Sequence, residues 1–121
     1  MSNPNRVKGL GYERALAIRF REMGWFDCVT ARAQNRRLDD AKIDLCFTYP
    51  LAIQAKYTKA APNFHKLLSE MQSACDTLPE VKNCHPIVYH KRAHQGETVT
   101  MMAADFEEMI SVLKAEQIWN K

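Results

Sequence analysis

Two stretches of the chain repeat nonpolar residues with the spacing of an α-helix. From about Gly9 to Met23 such residues recur three or four positions apart, and Gly24 follows where that helix would end. From Phe64 to Leu78 they form a second stripe, with Asn63 as the expected N-cap and Pro79 as the stop. We therefore predict one helix in each stretch.

A third helix is predicted near the C-terminus. It would begin at Asp105, with Glu108 three residues later completing a capping box. Its nonpolar side is expected to join the core and consists of Phe106, Met109, Ile110 and Leu113.

Alternating polar and nonpolar residues predict five strands. The first is "DCVTARAQ", followed by "NRRLDDAK" as a loop. "KIDLCFTY" and "LAIQAKY" meet at Pro50, and this short link predicts an antiparallel hairpin. "CHPIVYHKR" and "TVTMMA" follow, separated by the turn "AHQGE". The order α-β-β-β-α-β-β-α predicts an α/β fold with a mixed central sheet flanked by helices, in a single domain over residues 1–121.

Composition adds few constraints to this picture. The 121 residues carry a net charge of +3, which permits a polyanionic partner without requiring one. No nonpolar run approaches the roughly 20 residues of a membrane span, and the N-terminus lacks a signal-like nonpolar stretch, so we expect a cytoplasmic protein. The four cysteines form no CxxC pair, which predicts buried free thiols rather than a zinc site.

Polar side chains interrupt the two hairpin segments at positions that can converge. Gln54 and Lys56 share one face of their strand, and Asp44 projects from the neighbouring strand. A carboxylate beside an amide oxygen suits Mg²⁺, with Mn²⁺ as an alternative, and Glu13 on the first helix can supply a second carboxylate. With Lys56 stabilising charge on a phosphate, these groups would form a metal-dependent phosphodiester hydrolase.

Three alternatives stay open from the residues alone. Asp44 could be an edge-strand or turn residue that bonds local amides, with Gln54 and Lys56 as solvent-facing strand residues paired with it. Asp39 and Asp40 could be the metal carboxylates in place of Asp44. Arg32 could bind a phosphate or pair with Asp39 or Asp40.

Taken in order, these residues resemble a known nuclease family. The segments "KGLGYERALAIRFREMGW", "VTARAQNRR", "KIDL" and "IQAK" resemble the PD-(D/E)xK superfamily, closest to archaeal-type Holliday junction resolvases and related small phage nucleases. The resemblance covers roughly Lys8 to Leu78. Glu13 matches the helix glutamate of the family, Asp44 its metal-binding aspartate and Lys56 its lysine. Gln54 occupies the acidic position, which is a departure that removes one charge from the metal site.

The resemblance implies a restriction-endonuclease-like fold and a Mg²⁺-dependent, structure-selective DNA endonuclease that acts on branched or junction DNA. Two symmetric cuts need two active sites, so a homodimer is expected, with Trp25, Phe26 and residues 118–121 as candidate interface residues. DNA would be held through its phosphates. The expected contacts are Arg32, Arg36, Arg37, Lys42, Lys59 and Lys66.

Overall fold

A computed structural model describes residues 4–119, in which five α-helices and one short 3₁₀ helix (Pro79–Val81) accompany five strands. The helices are α1 (Pro4–Met23), α2 (Ala31–Gln34), α3 (Arg36–Asp40), α4 (Phe64–Thr77) and α5 (Ala103–Ala115). The strands are β1 (Val29–Thr30), β2 (Leu45–Cys46), β3 (Leu51–Tyr57), β4 (His85–Arg92) and β5 (Gly96–Thr100). None of the helices in this part of the chain has the length and nonpolar character needed to cross a bilayer.

The main sheet is mixed, as predicted. β3 and β4 are parallel, with α4 between them in the chain, and β5 is antiparallel to β4. β1 and β2 form a separate antiparallel pair. The coarse prediction of an α/β fold with a mixed sheet and helices is therefore confirmed.

The prediction that the two hairpin segments pair with each other as strands is wrong. β2 pairs with β1, and β3 pairs with β4. The chain leaves extended geometry directly after β2, because Phe47 has a φ of 63°. Two backbone hydrogen bonds, each of 2.8 Å, still join the two segments: the Asp44 N–H donates to the Ile53 carbonyl and the Leu51 N–H to the Thr48 carbonyl.

The ends of the two long helices follow the sequence signals. The Gly24 N–H donates to Arg21 and the Trp25 N–H to Phe20, at 3.2 and 3.0 Å, which is the Schellman pattern. Gly24 has a φ of 118°, a conformation that favours glycine. At α4 the Asn63 side chain accepts the Lys66 N–H at 3.2 Å. Both predicted boundaries are confirmed, whereas α1 begins earlier, at Pro4.

Nonpolar clusters lie on both sides of β3 because its side chains alternate between the two faces. Ile53 belongs to a cluster with Leu16 and Phe20 of α1. Ala52 belongs to a second cluster with Met71 of α4 and with others. All four cysteines are buried and free, as predicted. The sheet is thus held between α1 and α4, and the polar residues of β3 are fixed in a rigid layer.

Two short helices replace the predicted first strand and loop. The strand ends at Thr30, because the Ala31 N–H donates to the Asp44 carbonyl at 2.7 Å and the chain turns into α2. The segment "NRRLDDAK" contains α3, which Asn35 caps by accepting the Leu38 N–H at 3.2 Å. The predictions of a strand to Gln34 and of an irregular loop after it were wrong.

The C-terminal helix differs from its prediction in two ways. α5 begins at Ala103, and its N-cap Met102 makes no side-chain hydrogen bond, so the predicted capping box is wrong. No residue of α5 is buried, and Phe106 is half exposed, so its nonpolar side does not join either core cluster. β5 also ends at Thr100, before the two methionines that the pattern had included. Asn120 and Lys121, two of the candidate interface residues, lie outside the described residues.

Candidate active site

Asp44 is fixed by three hydrogen bonds where β3 meets the start of α2. Its N–H donates to Ile53 and its carbonyl accepts from Ala31, as described above. Its carboxylate oxygen Oδ2 accepts the Ala55 N–H at 2.7 Å and so replaces a backbone carbonyl in the ladder. Within the described part of the chain, Oδ1 has no hydrogen-bond partner. One oxygen is therefore anchored while the other remains available to a ligand.

The surroundings of Asp44 oppose its negative charge. The residue is 9% exposed, and this burial raises the pKa of its carboxyl to about 7. The Ala55 N–H opposes the rise, the charge of Glu13 adds to it, and the charge of Lys56 opposes it. A bound cation would relieve the cost of ionising this buried carboxyl.

Gln54 carries a buried oxygen without a partner. The residue lies in β3 between Ile53 and Ala55, whose peptide groups both bond Asp44. Its side chain is only 2% exposed, and Oε1 accepts no hydrogen bond from any described residue. Leaving such an atom unsatisfied costs about 1–3 kcal/mol. A ligand at this atom would remove that cost.

Glu13 supplies the second buried carboxylate. It lies on the face of α1 that packs on the sheet and is 6% exposed. Its Oε1 accepts a hydrogen bond from Arg32 Nη2 at 3.5 Å. Arg32 lies on α2 rather than on a strand, and Glu13 is its ion-pair partner in place of Asp39 or Asp40. The guanidinium thus offsets the charge of Glu13 at one edge of the site.

Lys56 provides a positive charge on the same side of the strand as Gln54. It is half-buried near the end of β3, and its side chain makes no hydrogen bond or ion pair with another described residue. Its charge nevertheless lowers the pKa of Asp44, while that of Asp39 in α3 raises it. Asp40 instead is exposed and pairs with Arg36 at 3.8 Å. Of the two alternative carboxylates, Asp39 is the one whose charge affects the pKa of Asp44.

These groups fit a hard divalent cation. Asp44 Oδ1 and Gln54 Oε1 are oxygen atoms without a partner in the described chain, and Glu13 brings a second carboxylate close to Asp44. Mg²⁺ and Mn²⁺ prefer oxygen ligands and are often held by one or two carboxylates together with waters. Asp44 would hold the ion, and its further oxygen ligands would come from Gln54 on the α4 face of β3 or from Glu13 on the α1 side.

The predicted DNA contacts fall into two groups. On α3, Arg36 is almost fully exposed and Arg37 donates to both oxygens of Glu80 at 3.2 and 2.5 Å. Lys42 follows that helix and is exposed. Lys59 and Lys66 instead line two grooves that adjoin Lys56. All of these contacts remain predictions.

A second polar cluster was missed by the sequence reasoning. His85 at the start of β4 lies between two carboxylates of α5, with Nδ1 3.2 Å from Asp105 and Nε2 3.9 Å from Glu108. The three side chains are close enough to hold a metal ion. However, the two ring nitrogens face different carboxylates, which suits an ion pair better than a shared ion. The spacing of Asp105 and Glu108 on one helix face was the available signal. The cluster was missed because its third member, His85, comes from a strand that is distant in sequence.

Comparisons with known proteins do not identify the site. No family model, curated protein or solved structure matches the chain. The family resemblance therefore stays a hypothesis, and the function has to follow from the arrangement of Glu13, Asp44, Gln54 and Lys56.

Proposed function

We propose that this protein is a metal-dependent endonuclease that hydrolyses phosphodiester bonds in DNA. The observation that carries the proposal is the unpartnered, buried oxygen of Gln54, whose neighbours Ile53 and Ala55 in β3 both bond Asp44. A fold that only needed a stable core would be expected to fill this position with a nonpolar or satisfied side chain. A buried carboxyl whose pKa lies near 7 is also typical of functional sites.

Each residue has a distinct role in this proposal. Asp44 and Gln54 hold Mg²⁺ or Mn²⁺, and Glu13 acts directly or through a water. The bound ion supplies Lewis-acid stabilisation of the negative charge on the phosphate. Lys56 keeps an unpaired ammonium beside the site and stabilises the charge that develops during cleavage. Arg32 keeps Glu13 oriented through its hydrogen bond.

The finer form of the proposal is a resolvase-like enzyme that selects branched DNA. Two symmetric cuts then require a homodimer, because one chain offers one such site. The expected contact surface is the exposed nonpolar face of α5 and the residues after it, where Phe106, Val112, Ile118 and Trp119 are each at least half exposed. Cleavage of linear or nicked DNA by the same site is the simpler form of this activity.

A second candidate is a nucleic-acid-binding protein that has lost catalysis. Gln54 favours it, because an amide contributes no charge to a metal site where the resemblance expects an acid. In that case the buried oxygen of Gln54 would be satisfied by water. The protein would then bind DNA without cutting it in any metal.

Cleavage of a panel of labelled DNAs tests the proposal. The panel contains a four-way junction, a nicked duplex, a linear duplex and a single strand, each with Mg²⁺, Mn²⁺ or EDTA. We expect metal-dependent cutting that Asp44→Ala and Lys56→Ala each reduce by a factor of 100 or more, on the order of 3 kcal/mol of barrier. Asp27→Asn, an exposed carboxylate outside the site, is the matched control. Cutting at the wild-type rate by both site variants would refute the assignment.

A further inference from the structure

A groove with uncompensated positive charge leads to Lys56. It has a volume of about 780 Å³ and is formed by the first turns of α1, the end of β3 and the turn between β4 and β5. The cationic side chains along it are Lys8, Lys56, Lys59 and Arg92, with His94 at the turn. We call this the cationic groove. Lys56 and Thr58 also line a second groove, of about 360 Å³, that contains Lys66.

Among the described residues, the lining of the cationic groove contains basic side chains and no acidic one. No carboxylate of the described chain lines it, and none of its four lysine and arginine side chains forms an ion pair there. Elsewhere Arg19 pairs with Glu97 and Arg37 with Glu80. Four like charges in one concave surface raise the local positive potential and attract a polyanion.

The tyrosine ring in this groove already has two ammonium groups over it. The ammonium of Lys8 lies 5.2 Å from the centre of the Tyr57 ring, and that of Lys91 lies 5.1 Å from it. Single-strand binding surfaces normally pair basic side chains with open aromatic faces. A groove of cations without a stacking platform fits the sugar-phosphate backbone instead, which both strands of a duplex present on the outside.

We propose that the cationic groove binds the phosphate backbone of double-stranded DNA, from Lys8 and Arg92 past Lys59 to Lys56. This inference rests on the proposed function, because it places the duplex against the lysine assigned to cleavage. It assigns the main DNA contacts to the start of α1 and the β4–β5 turn, rather than to the arginines of α3. Binding is expected to be independent of base sequence, because contacts to phosphates carry no sequence information.

The number of contacts predicts how salt weakens binding. Four neutralised phosphates, one for each lysine or arginine of the groove, give a slope of about −3.5 for log K against log salt concentration. Removing one contact is expected to bring that slope closer to zero by about 1.

The test measures binding of a fluorescent blunt duplex and of a single strand of equal length, in EDTA and over a range of salt concentrations. Arg92→Gln and Lys59→Gln are each expected to raise Kd several-fold and to reduce the slope by about 1. Lys82→Gln is the matched control, because it removes the same charge from an exposed site that precedes His85, at the opposite end of the β3–β4 pair. The duplex is expected to bind more tightly than the single strand, and thermal melting checks that each variant is folded.

Two results would overturn the inference: wild-type Kd and slope for Arg92→Gln and Lys59→Gln, or tighter binding of the single strand. The outcome is separable from that of the nuclease proposal, because binding in EDTA does not require the metal site. If the groove variants weaken binding and no metal-dependent cutting is seen, the groove proposal is supported and the nuclease proposal is refuted. If duplex DNA is cut and both groove variants cut it at the wild-type rate, the nuclease proposal is supported and the groove proposal is refuted.

Discussion

Replacing Asp44 by asparagine is expected to stabilise the metal-free protein at alkaline pH. Asparagine has nearly the same shape and can still accept the Ala55 N–H, but it carries no charge. The folded carboxyl keeps its proton up to about pH 7, whereas the unfolded one loses it near 3.8. Between these values the folded state binds more protons, so the unfolding free energy of the wild type falls as pH rises through this window.

The pKa of Asp44 is about 7 in the folded protein and 3.8 in the unfolded one. At about 1.4 kcal/mol for each pH unit, this difference lowers the unfolding free energy at alkaline pH by roughly 4 kcal/mol. Asp44→Asn should therefore exceed the wild type by about that much at pH 8, which is roughly 10–20 °C in Tm for a chain of this size. Near pH 4 the two proteins should differ little. Urea unfolding at both pH values, in EDTA, measures the difference.

Magnesium turns the same experiment into a test of the metal site. Adding Mg²⁺ at pH 8 should stabilise the wild type and leave Asp44→Asn unchanged, because only a protein that binds the ion in its folded state gains stability. Asp27→Asn, at an exposed position, should resemble the wild type throughout. A variant that is no more stable than the wild type at pH 8 would show that the carboxyl of Asp44 is not held in the desolvated environment described.

Five further predictions concern variants at four positions. Gln54→Met should raise metal-free stability by about 1 kcal/mol in urea unfolding, because it removes an unsatisfied oxygen, and Gln54→Glu should lower the Mg²⁺ concentration needed for cleavage. Leu16→Ala should cost about 2–5 kcal/mol in the same assay, because Leu16 is fully buried. Arg37→Met should cost less than about 1 kcal/mol, because its pair with Glu80 is exposed to solvent. Phe106→Asp should keep the fold and convert any dimer to monomer in analytical ultracentrifugation.

Local signals were enough to predict the long helices. The stripe of α4 has its N-cap at Asn63 and its stop at Pro79 within the same segment, so no distant residue is needed to define it. Gly24 likewise ends α1 through bonds to its own last turn. The short helices α2 and α3 have too few residues to show a period, and Asn35 as a cap was the signal available for the second of them.

The polar residues of the site could be identified in sequence, but not the way in which they are held. Alternation along β3 correctly separated Gln54 and Lys56 from the Ile53 face. The antiparallel pairing of the two segments was wrong, because β3 finds its partner in β4 across α4. That Asp44 bonds a local amide was one of the alternatives left open, but no sequence pattern indicates that this amide is Ala55 or that Arg32 reaches Glu13. Those contacts depend on where separate elements meet.

Anomalous diffraction from crystals soaked in Mn²⁺ tests the central claim most directly. The proposal predicts an anomalous peak within about 2.2 Å of Asp44 Oδ1 and of Gln54 Oε1, and no peak there in crystals of Asp44→Asn. A peak only between His85, Asp105 and Glu108, with none at Asp44, would contradict the claim that β3 carries the metal site.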